Sequence, residues 1–309
     1  MTQQAARSLP FRALRRAVRL VARLIAHWRP ASAKRLAELT SEVAALRGEL
    51  KDRLFTVEML LTTISPVAEA PAGTKANTCD GEQPYVSVIM PTYNRSRLLL
   101  EAANSVRKQT FENWELLIID DGSSDDTAQA VRSLSHDPRI RYIRQENQGE
   151  CAARNAGLAA SRGEIIAYLD DDNLWFPHFL QVAASAFASD PDLHLAYGAI
   201  AHADPPHNVT PFMWKAFDRD ALLKQNYIDT NVIVHRRSLF VDMGGWDDQA
   251  PGMADWELML RYSSTTQPRP LPVLAALYRE GAENRLSTAK ATRYTYDYIQ
   301  RKWASRSDR

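Results

Sequence analysis

The sequence predicts an α/β domain built on a mostly parallel sheet with helices on both faces. Three observations carry this. From Tyr85 onward, short apolar runs alternate with amphipathic stretches of helical period, a β-α-β pattern that implies parallel strands joined by crossovers. Those runs are almost continuously apolar, as strands covered on both faces are. Several of them end abruptly in polar residues, most clearly Ile165-Ile166-Ala167-Tyr168-Leu169 before Asp170-Asp171-Asp172-Asn173. The C-terminal edge of such strands is where open α/β sheets bind ligands.

The chain has 309 residues, 45% hydrophobic and 24% charged, with a formal net charge of +1. That composition is ordinary for a globular protein with a substantial core. The near-zero charge speaks against a whole-protein nucleic-acid footprint. The two cysteines, Cys79 and Cys151, have neither pairing nor metal spacing, which fits free thiols in a reducing compartment. No stretch reaches the roughly 18 uninterrupted apolar residues of a membrane span, and no secretory signal is present. The expected location is cytoplasmic.

Residues 1–30 read as a basic amphipathic helix. Leu14, Val18, Val21, Ile25 and Trp28 form one stripe, and Arg12, Arg16, Arg19 and Arg23 form the opposite one. Such a helix suits an anionic membrane surface, here the inner face of the cell membrane. Packing on the protein's own body, an organelle transit peptide and RNA binding are the rival readings. Residues 31–65 carry a heptad pattern from Leu36 to Ile64; it predicts a coiled coil that makes a homo-oligomer, or a helix folded back on its own domain. Residues 66–84 lack periodicity, contain Pro66 and Ala70-Pro71-Ala72-Gly73, and read as a linker.

In the main domain, strands are expected at 85–90, 115–119, 140–143, 165–169, 195–200, 228–234 and 271–277. Helices are expected at 97–108, 126–134, 150–161, 177–188, 237–243, 255–262 and 289–303. Residues 201–215, with three prolines, read as a loop.

Chemistry collects at the strand ends. Three adjacent carboxylates repel one another unless a cation joins them, and hard divalent cations prefer oxygen ligands. Asp170-Asp171-Asp172 can therefore hold Mg2+ or Mn2+ against a phosphorylated ligand; a solvated acidic turn is the plainer alternative. Pro91-Thr92-Tyr93-Asn94 offers backbone groups and a ring to a planar base. Asp120-Asp121-Gly122-Ser123 can accept from a base N–H or ribose hydroxyls, or simply cap a helix. Arg154 can pair with a diphosphate or with a surface acid.

The order and spacing of these motifs resemble family 2 glycosyltransferases of the GT-A fold. The matching residues are Val88-Ile89-Met90-Pro91-Thr92-Tyr93-Asn94, Ile118 to Asp125, Asn147-Gln148-Gly149 followed by Ala153-Arg154-Asn155-Ala156-Gly157, and Leu169-Asp170-Asp171-Asp172. The match covers about residues 85–285. It implies a Rossmann-like, nucleotide-sugar-binding half at 85–200 and an acceptor-binding half with a C-terminal helix at 201–309. It further implies a nucleotide-sugar donor (a UDP-sugar by family habit), a divalent metal, and inverting transfer to a glycan or lipid-linked acceptor.

By the same resemblance, Pro91, Thr92 and Tyr93 line the nucleoside pocket, Asp121 contacts the base, and Arg154 meets the base or diphosphate. Asp170 and Asp172 form the Asp-x-Asp pair, with Asp172 on the metal, Asp170 toward the ribose and Asp171 the most replaceable. The family's Glu-Asp pair falls at Ala254-Asp255, so the acid before the expected base is missing. Asp255 is the candidate general base. Trp256, Arg279 and Arg285 complete the candidate set near the diphosphate and acceptor. The missing Glu is also what favours the alternative, a non-catalytic binding or scaffold protein assembled through its coiled coil.

Overall fold

The computed structural model describes residues 83–204, 208–209, 213–279 and 289–304. The amphipathic helix at 1–30, the heptad segment at 31–65, nearly all of the linker, and Arg285 lie outside the described residues.

The elements follow the alternation read from the sequence. They run β1 (Val86–Thr92), α1 (Ser96–Arg107), β2 (Trp114–Asp120), α2 (Thr127–Arg132), β3 (Ile140–Arg144), α3 (Glu150–Ala160) and β4 (Ile165–Tyr168). Then come β5 (Leu174–Trp175), α4 (Phe179–Ser189), β6 (Leu195–Asp204), β7 (Asn208–Val209) and α5 (Arg219–Lys224). A 3-10 turn (Thr230–Val232) leads into β8 (Ile233–Arg236), followed by α6 (Arg237–Met243), α7 (Ala254–Tyr262), β9 (Arg269–Arg279) and α8 (Ala289–Ala304). No helix among the described residues is long and apolar enough to cross a membrane.

The described strands form one sheet in the order β3-β2-β1-β4-β8-β6-β9-β5, with β7 on β6. Strands β3, β2, β1 and β4 are parallel. Beyond them the expectation of a mostly parallel sheet is corrected. Strand β8 inserts antiparallel between β4 and β6, and β5 and β7 are antiparallel as well. The sheet is mixed because β8, entered from the 3-10 turn, runs against both of its neighbours, β4 and β6. Strand β6 also runs four residues past the expected end, into the segment read as loop.

Burial follows from this layering. Strands β2 and β4 are buried at every residue, and β1 at every residue but Pro91, which is why they read as unbroken apolar runs. Helix α3 packs against β1 and β2 through Gly157, where an added Cβ would lie 2.5 Å from Ile89 Cγ2. Glycine is what lets this helix approach the sheet closely enough to aim Arg154 at the strand ends.

A second departure lies at 228–234, read as a strand. Asp229 Oδ1 accepts from Asn231 N (2.8 Å) and Asn231 Nδ2 (2.6 Å). That side-chain-to-backbone capture is an Asx turn, which competes with strand pairing. The strand accordingly begins only at Ile233.

Candidate active site

Register brings the polar strand ends level. Thr92 pairs with Asp120 across β1 and β2, and Ile89 with Tyr168 across β1 and β4. Two and three residues further on, Asp170 and Asp171 follow beside Pro91 and Thr92, and Thr92 Oγ1 donates to Asp171 Oδ2 at 2.7 Å.

These ends border a cleft of about 540 Å3. Its wall includes Pro91, Thr92, Tyr93, Asp121, Arg154, Asp170, Asp172 and Asp255, so the structure gathers eight of the residues singled out in the sequence. It also includes Asp171, read from the sequence as the replaceable middle of the acid run, and Arg95, Glu150, Asp229, Thr230 and Tyr278, which sequence reasoning did not select.

Each side chain is held by identifiable partners. Asn94 takes a left-handed φ of 53°, which asparagine tolerates better than most residues. Its Oδ1 accepts from Ser124 N at 2.7 Å, and Ser123 Oγ accepts from Asn94 N at 2.9 Å. This stitches the first motif to the second and leaves Tyr93 projecting at the rim, 46% exposed. The adjacent acids divide their work. Asp120 is wholly buried and accepts from Ser123 N and Tyr142 Oη. Asp121 reaches the cleft wall and accepts from Gln145 Nε2, Gln148 N and Gly149 N at 2.8–2.9 Å. Asp121 thus fixes the turn that starts α3.

Arg154 lies on α3 four residues after Glu150, one turn along the same face. It is buried, donates to Glu150 at 3.0 Å and to Asp170 at 2.7 Å, and packs over the Trp246 ring at 4.6 Å. Its two acids hold its pKa far above the ordinary value against the opposing effect of burial. Its neighbour Asn155 exchanges hydrogen bonds with Trp246 O (2.9 Å) and N (2.7 Å). A Cβ on Gly245 would lie 2.1 Å from Asn155 Oδ1. The Gly244-Gly245-Trp246 turn is therefore bolted beneath Arg154. From the other side, Asp247 accepts from Lys302 Nζ (2.6 Å) and Tyr298 Oη (2.7 Å) of α8.

The three consecutive aspartates have three environments. Asp170 takes Arg154, while its backbone N and Oδ2 meet Asn231 Oδ1 (2.8 Å) and Nδ2 (3.2 Å). Asp171 is buried, with Thr92 and Arg95 Nη1 as partners, and burial pushes its carboxyl up to about 6. Asp172 pairs with the same Arg95 Nη1 at 3.1 Å. Asp171 is consequently the most enclosed of the run, although the sequence marked it as the most replaceable.

Asp255, the second residue of α7, borders the cleft, and its Oδ1 accepts from Trp256 N at 2.7 Å. Burial, then the nearby Asp229 charge, push its carboxyl up to about 7. Asp229 is itself raised, by burial and then by Asp170.

Two sequence assignments are corrected. Trp256 is in the core, 1% exposed, with its indole N–H on Leu222 O at 2.6 Å; the helical period that puts Asp255 on the cleft turns Trp256 inward. Arg279 does not border the cleft. It grips the acid loop from behind through Asp172 O (2.6 Å) and pairs with Glu101.

With this geometry in place, a sequence profile described as glycosyl transferase family 2 matches residues 87–241, half of the chain. The chain belongs to glycosyl transferase family 2. A putative colanic acid biosynthesis glycosyl transferase, WcaA of Escherichia coli K12, is 43% identical over 102 residues, covering 32% of this chain and 36% of its own length. Three glycosyltransferases of Rickettsia match at 41–45% identity over 97 residues, and the matched part of this chain spans only 14–16% of their length.

Among solved structures, residues 1–349 of Staphylococcus aureus TarS with UDP-GlcNAc align with a TM-score of 0.61 at 20% identity, over 71% of this chain and 65% of that one. Pyrobaculum calidifontis mannosyltransferase PcManGT with GDP-Man and Mn2+ aligns with a TM-score of 0.55 at 20% identity, over 88% and 76%. At that identity the likeness establishes the fold. It places this family 2 chain on the same α/β frame.

The side chains of the cleft can be tested for their fit to a divalent cation. Seven carboxylates border it against two guanidinium groups. That excess of hard oxygen donors is the chemistry that hard divalent cations such as Mg2+ or Mn2+ prefer. Among the described residues no group of three or more His, Cys, Asp or Glu is arranged to hold a metal. An ion held by one or two carboxylates and completed by substrate phosphates agrees with both facts. The residues missed by sequence reasoning left faint signals: Arg95 directly follows the first motif, and Asp229-Thr230-Asn231 has the Asp-x-Asn form of an Asx turn.

Proposed function

We propose that the protein transfers a sugar from a nucleotide-sugar donor to a hydroxyl of a glycan or lipid-linked acceptor, with inversion at the anomeric carbon. The observation that carries this reading is the pairing, across one cleft, of a donor-side set with a raised-pKa carboxylate. Asp121, Asp170 and Asp172 follow the ends of parallel strands, Arg154 reaches them from α3, and Asp255, pushed up to about 7, faces them from α7.

The base stacks at Pro91, Thr92 and Tyr93, with Asp121 at its polar edge. Arg154 meets the diphosphate end while shared between Glu150 and Asp170. Asp172 with Asp170 would hold a divalent ion, which would supply neutralisation of charge on the diphosphate leaving group. Asp255 removes the proton from the acceptor hydroxyl as its oxygen attacks the anomeric carbon. The bond to the diphosphate breaks on the opposite face, and the nucleoside diphosphate leaves with the bonding pair. A base near pKa 7 combines raised basicity with a substantial, about half, ionised fraction at neutral pH, and such help is typically worth ~10²–10⁴ in rate.

The scaffold alternative rested on Ala254. The cleft supplies Asp229 and Glu150 around Asp255, so that argument loses its force. Membrane attachment through residues 1–30 and oligomerisation through residues 36–64 stand as proposals; liposome flotation and light scattering of the full chain test them.

The central experiment is a thermal-shift panel of UDP- and GDP-sugars with and without Mn2+, followed by product analysis on the stabilising donor. A UDP-sugar is the first expectation. Stabilisation that depends on Mn2+ and disappears in Asp172→Ala supports the reading. Sugar transfer undiminished in both Asp172→Ala and Asp255→Asn refutes it.

A further inference from the structure

Arg95 belongs to no part of the donor or base machinery described above, yet it lies against the centre of the acid run. It sits at the N-cap of α1, with its side chain 15% exposed. Its Nη1 donates to Asp171 Oδ1 at 2.9 Å and to Asp172 Oδ2 at 3.1 Å, and those side chains are only 4% and 9% exposed. The two contacts differ in what stands behind them. Asp171 is also anchored by Thr92 Oγ1 at 2.7 Å. Asp172 is gripped through its backbone carbonyl by Arg279.

Without a ligand the site is therefore partly neutralised from within: Arg154 serves Glu150 and Asp170, and Arg95 serves Asp171 and Asp172. A divalent cation approaching Asp172 meets a carboxylate that already has a cation on it. Placing both there sets like charges within a few ångströms in a poorly solvated corner, which is costly.

We infer that Arg95 is a resident counter-ion that must yield Asp172 before a divalent cation can bind, and that the donor's diphosphate admits the metal by drawing the Arg95 guanidinium to itself. This rests on the donor-and-metal reading above. The chemistry of the exchange is ordinary: a guanidinium fork binds phosphate oxygens in bidentate fashion, and a small hard cation binds carboxylate and phosphate oxygens together. Asp171 is the pivot. It keeps one Arg95 contact and its Thr92 anchor while Asp172 is released, which gives the middle aspartate a reason to be buried. Nucleotide and metal then bind with positive coupling, and by linkage each raises the other's affinity by the same factor.

The test is Mn2+ binding to the full chain, read from the electron paramagnetic resonance signal of free Mn2+. It is run without nucleotide and with saturating UDP or GDP, corrected for Mn2+ bound by nucleotide alone. The proteins are wild type, Arg95→Gln, Arg95→Lys and Asp172→Asn, each checked for a cooperative melt. In wild type, nucleotide is expected to tighten Mn2+ by about tenfold or more. Arg95→Gln is expected to bind Mn2+ about tenfold more tightly than wild type without nucleotide, and to lose most of the coupling. Arg95→Lys keeps the charge and stays weak without nucleotide. Simple loosening of the loop would weaken the metal in Arg95→Gln, the opposite sign.

Nucleotide-free Mn2+ affinity in Arg95→Gln equal to or below wild type overturns the inference; if Asp172→Asn still abolishes Mn2+ binding with UDP, the metal reading survives that failure. Absence of Mn2+ binding by wild type with both nucleotides removes the metal reading and this inference with it.

Discussion

Replacing Asp255 with Asn separates stability from catalysis in a pH-dependent way. The carboxyl is pushed up to about 7 in the folded protein, whereas an unfolded aspartate titrates near ~3.9. Between those values the folded state holds one more proton than the unfolded state, so stability falls as pH rises. The contribution is fully present below about pH 4 and is lost as pH passes about 7. A difference of about 3 units at about 1.36 kcal/mol each gives a ceiling near 4 kcal/mol. Because the cleft admits solvent, about 2–4 kcal/mol is the expected range. Asn is neutral at every pH and keeps an oxygen for Trp256 N. The Asn variant should therefore match wild type at pH 4 and exceed it by about 2–4 kcal/mol at pH 8, a rise in Tm of roughly 4–15 °C. Thermal unfolding with EDTA across pH 4–8 measures this. The same variant should lose ~10²–10⁴ in kcat/KM, and wild-type kcat/KM should fall tenfold per pH unit below about pH 7. A stability difference that is flat with pH, or a variant less stable at pH 8, would refute the assignment of Asp255 as a strained, desolvated base.

Other substitutions test the frame around it. Gly157→Ala pushes a methyl to within 2.5 Å of Ile89 Cγ2, and chemical denaturation should register a loss of about 1–3 kcal/mol. Arg154→Lys puts a point charge where a fork bridges Glu150 and Asp170; calorimetry should show donor affinity falling at least about tenfold, with stability reduced by up to about 3–5 kcal/mol. Asp121→Ala leaves Gln145 Nε2, Gln148 N and Gly149 N without their acceptor. Nucleotide binding should weaken, and limited proteolysis should cut near Gln148. Trp256→Phe removes the Leu222 hydrogen bond in the core, so it should cost about 1–3 kcal/mol and leave nucleotide and Mn2+ affinity unchanged.

How much was legible in the sequence depends on which interactions are local. The parallel half was readable because each strand there is buried on both faces and each ends at a sharp polar switch, a pattern written in adjacent residues. The antiparallel strand β8 was not, because its start is decided by Asp229 capturing Asn231, and Asn231 is in turn committed to Asp170 some 61 residues away. Arg95 and Glu150 escaped notice for the same reason. Each looks like an ordinary helix-start charge until register lays β1 against β4 and α3 against the Gly252 backbone, whose N–H Glu150 accepts at 2.9 Å. Trp256 was misread through its neighbour, since a helix turns adjacent residues about 100° apart and only one of Asp255 and Trp256 can face the cleft.

Ala254 shows why composition at one position is a poor guide to chemistry. Residue 254 is 3% exposed, pressed into the frame at the first residue of α7, so an acid there would have to be buried or to displace its neighbours. The electrostatic work asked of such an acid is to raise the base beside it. Here that work is done by desolvation first and by the charge on Asp229 second. Asp229 is fixed by Asn231, which also fixes Asp170. One buried asparagine thus ties the donor-side carboxylate to the acid that tunes the base. Asn231→Ala should therefore lower the kinetic pKa of Asp255 and weaken donor binding together. A change in only one of the two would mean that the halves of the cleft are set independently.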